Sequence, residues 1–169
     1  LQTLELFNKC IYLPLINIPK EDFKLRTEAV YLFTEAEIDT ANLIFTDEIN
    51  IKEIAKSVEL HFILVDHNRI SANLADYAEN VVEVIDHHKD ENIYDKSITT
   101  IEPVGSCATL ITEKIMETNK SLIDEKTAEL LAGTILLDTV NFNPDAKRTT
   151  AKDTEMAEYL LDNFKIHLI

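Results

Sequence analysis

Two apolar runs, each closed by an aspartate and a histidine, constrain the fold of this chain more than anything else in it. Leu60 to Val65 reads LHFILV and stops at Asp66-His67-Asn68; Val81 to Ile85 reads VVEVI and stops at Asp86-His87-His88. Runs this short and continuously apolar read as buried strands of a parallel sheet, not as half-wetted antiparallel ones. Parallel neighbours need a crossover, and the stretch between Val65 and Val81 is long enough to supply it. In open α/β sheets the carboxyl ends of the strands border the binding crevice. The two Asp-His ends are therefore expected side by side on one rim.

The remaining pattern alternates between strand and helix. Cys10 to Ile18 is β-rich but interrupted by Pro14, which suits an edge or irregular strand. Thr27 to Ile38 has helical spacing, with Thr27 as a possible cap; Leu43 to Phe45 reads as a short strand and Ile51 to Val58 as a short helix. Ile98 to Val104 is a further strand candidate. A helix opens at Ser106 or Thr109 and runs to about Thr118. Asp124 to Asp138 is the strongest helical pattern, and a last helix runs from Thr149 or Thr150 to about Asn163. Strands alternating with helices predict an open parallel sheet with helices on both faces. Leu1, Leu4, Leu6 and Phe7 already sit on a helical stripe, so the chain reads as an excerpt from a longer protein.

Composition narrows the function. The net charge of -15 and the scatter of single Lys and Arg residues argue against long nucleic acid as a partner. Only two glycines occur, Gly105 and Gly133, which excludes a glycine-rich nucleotide loop in this segment. Cys10 and Cys107 make neither a disulfide framework nor a zinc spacing, so a reducing, cytoplasmic setting is expected. No apolar run approaches the roughly 20 residues of a membrane span.

Carboxylates and imidazoles gathered on a strand rim form an oxygen-nitrogen ligand set, which suits manganese, magnesium or cobalt. One Asp-His pair at a strand end reads first as a turn cap or ion pair; two on successive strands shift the reading to a site. Asp138 ends an apolar helical stripe, where a carboxylate is costly unless hydrogen-bonded, paired or bound to metal. It caps the next turn or, with Asp66 and His87, serves as a third ligand. Gly105 and Ser106 either present N–H groups to an anion or make an ordinary helix cap. Cys107 reads as a small buried residue and not as a nucleophile. His61 reads as structural or solvent-facing, and His167 is assigned no role.

In this order the elements resemble the DHH phosphoesterases, a superfamily of RecJ-type nucleases, family II inorganic pyrophosphatases, exopolyphosphatases and prune proteins. The name-giving triplet is Asp86-His87-His88, preceded by Val65-Asp66-His67-Asn68 and followed by Gly133-Thr134-Ile135-Leu136-Leu137-Asp138-Thr139. Val104 to Thr109, Pro14 to Ile18 and Phe45 to Ile49 are similar to the prune and exopolyphosphatase branch. The resemblance implies a two-metal hydrolase of short-chain polyphosphate or pyrophosphate, using two manganese or magnesium ions. It implies that Asp66 bridges the metals, that His87 and Asp138 are ligands of one, and that His88 acts on the substrate phosphate. Asp86, Asn68, Gly105 and Ser106 would lie behind the ligands or against the phosphate.

The family's Asp-rich loop after an N-terminal strand has no counterpart here, nor does its second domain. The expectation is a single DHH domain over 1–169, lacking its first strand, that folds yet does not by itself hydrolyse phosphoanhydrides at an enzyme-like rate. Two other functions stay open: a nucleotide phosphatase or exonuclease of the same superfamily, and a non-catalytic interaction protein that keeps the fold.

Overall fold

The computed structural model describes residues 10–166; the expected stripe of Leu1, Leu4, Leu6 and Phe7, and His167, lie outside them. Its centre is a parallel sheet of three strands in the order β1 (Phe62–Val65), β2 (Val81–Asp86), β3 (Ile98–Ile101). Val65 pairs with Ile85, and Asp86 with Ile101, so the Asp66 and Asp86 ends share one rim. β3 stops short of the expected Val104. Beyond Ile101, the Glu102 N–H still donates to the Asp86 carbonyl, and Pro103 then has no N–H to offer.

Helices flank both faces of the sheet. The one-turn α1 (Lys20–Phe23) and α2 (Thr27–Glu35) come first, and α3 (Ile51–Ile54) precedes β1. Ile51 of α3 packs with Leu64, Ile70, Leu74 and Val84 against one face. Against the other, Ile85 meets Cys107 and Leu110 of α4 (Cys107–Asn119). α5 (Glu125–Asp138) and α6 (Ala151–Asn163) complete this layer. Ala128, Ala132 and Ala157 are wholly buried there with Ile135 and Leu160, small residues that let helices approach closely.

Several sequence-based boundaries need correction. Neither Cys10 to Ile18 nor Leu43 to Phe45 forms a strand; the two segments meet only in a parallel bridge, Ile16 to Phe45. The helix from Ile51 ends at Ile54 and continues to Ser57 as turns. Thr27 is the first residue of α2, not its cap; Arg26 holds that position without a side-chain cap bond. The three long helices that follow the sheet have chemically defined starts. Ser106 caps α4, Asp124 caps α5, and Thr150 caps α6.

Candidate metal centre

Asp66 stands one residue beyond β1, at φ 66°. That left-handed region is crowded for most side chains, and aspartate is among the few that enter it. The Asp66 N–H still donates to the Ile85 carbonyl at 2.9 Å, so the ladder continues while the chain turns. Asp66 Oδ1 lies 3.3 Å from His87 Nε2. Asp66, His87 and His88 each bring a ligand atom within 4.8 Å of the others.

The imidazoles are oriented from behind. His87 Nδ1 is 2.9 Å from the Val104 carbonyl, which can only accept, so Nδ1 carries the proton. Nε2 is thereby turned to the rim beside Asp66. This is the tautomer in which a histidine serves as a metal ligand, with its other nitrogen anchored. His88 Nδ1 donates to Asp86 Oδ1 at 2.7 Å.

Asp86 is wholly buried and acts as the anchor of the second strand end. Its Oδ1 also accepts from the His87 and His88 N–H groups, at 2.8 and 3.3 Å, and Oδ2 accepts from Asn68 Nδ2 at 2.6 Å. Asn68 additionally donates to the Lys89 carbonyl and accepts from the Glu91 N–H. It therefore ties the loop after β1 to the loop after β2. Asp86 is thus turned inward and saturated, whereas Asp66 faces the histidines.

The electrostatics follow from this arrangement. Burial pushes the Asp66 carboxyl up from its ordinary value; His87 and His88 oppose this, while Asp138 and Asp86 add to it. Burial also pushes Asp86 up, but the hydrogen bonds from His88, Asn68 and the two backbone N–H groups outweigh it and hold Asp86 low. The bond to Asp86 raises His88 above an ordinary imidazole. Cys107 is buried and its thiol is pushed up to about 12, chiefly by burial, which leaves no thiolate at neutral pH.

Asp138 is half-buried at the end of α5 and stands outside the trio of Asp66, His87 and His88. Ser106 Oγ donates to its Oδ2 at 2.6 Å. Its charge nevertheless reaches both Asp66 and His88. The N–H groups of Gly105 and Ser106 face an anion, and it is the protein's own Asp153, at 2.8 and 3.3 Å. His61 is exposed beside Glu59, and His67 Nδ1 turns back to the Val65 carbonyl. Asp153 escaped the sequence reading, and Thr109 entered it only as a possible helix start and as the end of the Val104 to Thr109 run. The Thr150-x-x-Asp153 spacing of a capping box was the one signal that could have flagged the first.

Residues 11–135 match the DHH family, N-terminal domain. The chain is 38% identical over 151 residues to "Exopolyphosphatase PRUNE1" of Mus musculus, covering 89% of this chain and 33% of the mouse protein. It is 31% identical over 150 residues to "Probable manganese-dependent inorganic pyrophosphatase" of Enterococcus faecalis, covering 84% of this chain and 47% of that protein. Among solved structures, a candidate family II inorganic pyrophosphatase of Methanococcus jannaschii superimposes with a TM-score of 0.57 at 28% identity, over 80% of this chain and 43% of the other. The chain thus spans about a third to a half of the length of these relatives. Among the described residues no helix is long and apolar enough to cross a membrane.

Proposed function

The chain belongs to the DHH family, and from that premise we propose that the whole protein is a metal-dependent hydrolase of phosphoanhydrides, with short-chain polyphosphate or pyrophosphate as its substrate. One observation carries the reading. His87 has its Nδ1–H fixed on the Val104 carbonyl and its Nε2 3.3 Å from the Asp66 carboxylate. A carboxylate and an unprotonated ring nitrogen at that separation fit one divalent ion, since each would sit about 2.0–2.3 Å from it. The mixed oxygen-nitrogen set favours manganese or magnesium, with cobalt also compatible. The relatives whose names carry exopolyphosphatase and manganese-dependent pyrophosphatase support the same chemistry.

Asp66, His87 and Asp138 would hold the metal. When bound, divalent ions would supply a water of lowered pKa and polarise the phosphoryl oxygens. The chain's own residues do the rest. Asp86 anchors His88 through Nδ1, which leaves the ring's Nε2 edge for a phosphate oxygen. Protonated His88 would donate there, and its raised pKa favours that form. Asn68 holds the two loops in register behind the ligands. Ser106 keeps Asp138 oriented by its 2.6 Å bond. A cytoplasmic location is proposed with this activity, supported by two cysteines that form no disulfide.

The test is phosphate release by the whole protein with manganese, comparing pyrophosphate, short polyphosphate, long polyphosphate and nucleotides. Release from the short inorganic chains, lost in Asp66→Ala, is the expected result. Preference for a nucleotide or an oligonucleotide would reassign the substrate. No metal-dependent release from any of them would leave a binding protein on this fold.

A further inference from the structure

Asp153, at the start of α6, lies far along the sequence from the strand rim. It is wholly buried, yet five hydrogen bonds converge on its carboxylate. Oδ1 accepts from Thr109 Oγ1 at 2.6 Å and from the Ser106 N–H at 3.3 Å. Oδ2 accepts from the Gly105 N–H at 2.8 Å and from the Thr150 N–H and hydroxyl, each at 2.7 Å. The Thr150 bonds are a local capping box. A cap requires no more than these. The other three come from residues 44 to 48 positions earlier, on the loop after β3 and the start of α4.

That loop is the one behind the metal centre. Its Val104 carbonyl fixes the His87 ring, and its Ser106 hydroxyl holds Asp138. Gly105 lies between them, and only a glycine lets the carboxylate in. A Cβ there would stand 2.5 Å from the Arg148 carbonyl oxygen and 2.9 Å from Asp153 Oδ2. We propose that Asp153 is a positioning residue of the metal centre: its carboxylate pins the Val104–Ser106 loop, and through it sets the tautomer of His87 and the orientation of Asp138. The inference rests on reading the rim as a metal centre. A carboxylate is what the place demands, because it accepts at every lone pair; an asparagine would turn an NH₂ group toward donors. Although burial pushes Asp153 up, its hydrogen bonds from Thr109, Thr150 and Gly105 hold it low, so it stays charged.

The test compares the chain with Asp153→Asn and Thr109→Val, reading the His87 ring nitrogens by long-range ¹⁵N NMR without metal, and Mn²⁺ affinity by calorimetry. The parent chain should show His87 Nδ1 protonated and hydrogen-bonded. Asp153→Asn should mix the tautomers and weaken Mn²⁺ binding about 10–100-fold, the usual effect of losing an outer support of a metal ligand. Thr109→Val, which keeps the side-chain shape, should move both readouts the same way by less, and decides the matter if Asp153→Asn does not fold. Thr109→Ser should restore both. A folded Asp153→Asn or Thr109→Val that keeps the Nδ1–H tautomer and the parent Mn²⁺ affinity overturns the inference. Absence of Mn²⁺ binding in the parent chain would instead sink the metal-centre reading. The metal-free tautomer would still decide whether Asp153 positions His87.

Discussion

Asp153 has exchanged water for hydrogen bonds, and a buried carboxylate solvated in this way has a characteristic pH signature. Its folded pKa lies below the ordinary value of 3.8, so on acidification the unfolded chain takes up the proton first. The stabilisation is therefore whole above about pH 4 and lost as pH falls through the folded value. Asp153→Asn should cost about 2–4 kcal/mol at neutral pH, through unsatisfied donors, and should flatten the acid limb of stability. Urea unfolding at stepped pH checks this; equal acid slopes in parent and variant would contradict it. Part of the slope should remain, because Asp86 and Asp124 are also held low. Gly105→Ala should cost about 1–3 kcal/mol, as an added Cβ meets backbone that cannot swing aside. An unchanged urea midpoint would refute that. Asp66 and His87 were legible in the sequence because each directly follows an apolar strand. Asp153 was not, since its significance depends on donors 44 to 48 residues away, which no local pattern records.

Strands β1 and β2 are where sequence and structure agree best. They are parallel neighbours, as continuous apolar runs suggest, but the expected burial on both faces holds only in part: Leu64, Val84 and Ile85 are buried, whereas Ile63, Val65 and Val82 are exposed. The helix starts were nearly as legible, because Ser106, Asp124 and Thr150 are side chains that cap. Cys10 to Ile18 and Leu43 to Phe45 were misread for a physical reason. β-propensity reports fit to a pleated neighbour, and these segments offer each other one bridge, Ile16 to Phe45. At the head of α4, Ser106 has two tasks: its Oγ accepts from the Ala108 N–H and donates to Asp138. Ser106→Ala should therefore lose more than a simple cap, which is worth about 0.5–2 kcal/mol. Asp124→Ala, whose side chain caps α5 and is bonded by both the N–H and the side chain of Thr127 in that same helix, is the comparison. If thermal unfolding showed both losing the same stability, the bond to Asp138 would carry no weight.

At the scale of the molecule, three parallel strands bring Asp66 and the Asp86-His87-His88 turn to one rim, and α5 ends with Asp138 near it. The order of motifs made the family legible, but not the support behind the ligands. The Val104 carbonyl and the Asp153 carboxylate are placed by the packing of the loop after β3 against α6. With a net charge of -15, the protein has general reason to attract cations, so a binding isotherm alone cannot separate a built site from a diffuse acidic surface. Anomalous diffraction at the manganese edge from crystals of the chain grown with MnCl₂ separates them directly. The account predicts a manganese peak about 2.0–2.3 Å from both an Asp66 carboxylate oxygen and His87 Nε2, with Asp138 turned toward it, and its loss in Asp66→Ala. An ordered rim with no peak beside Asp66 and His87, while manganese occupies acidic surface elsewhere, would contradict it.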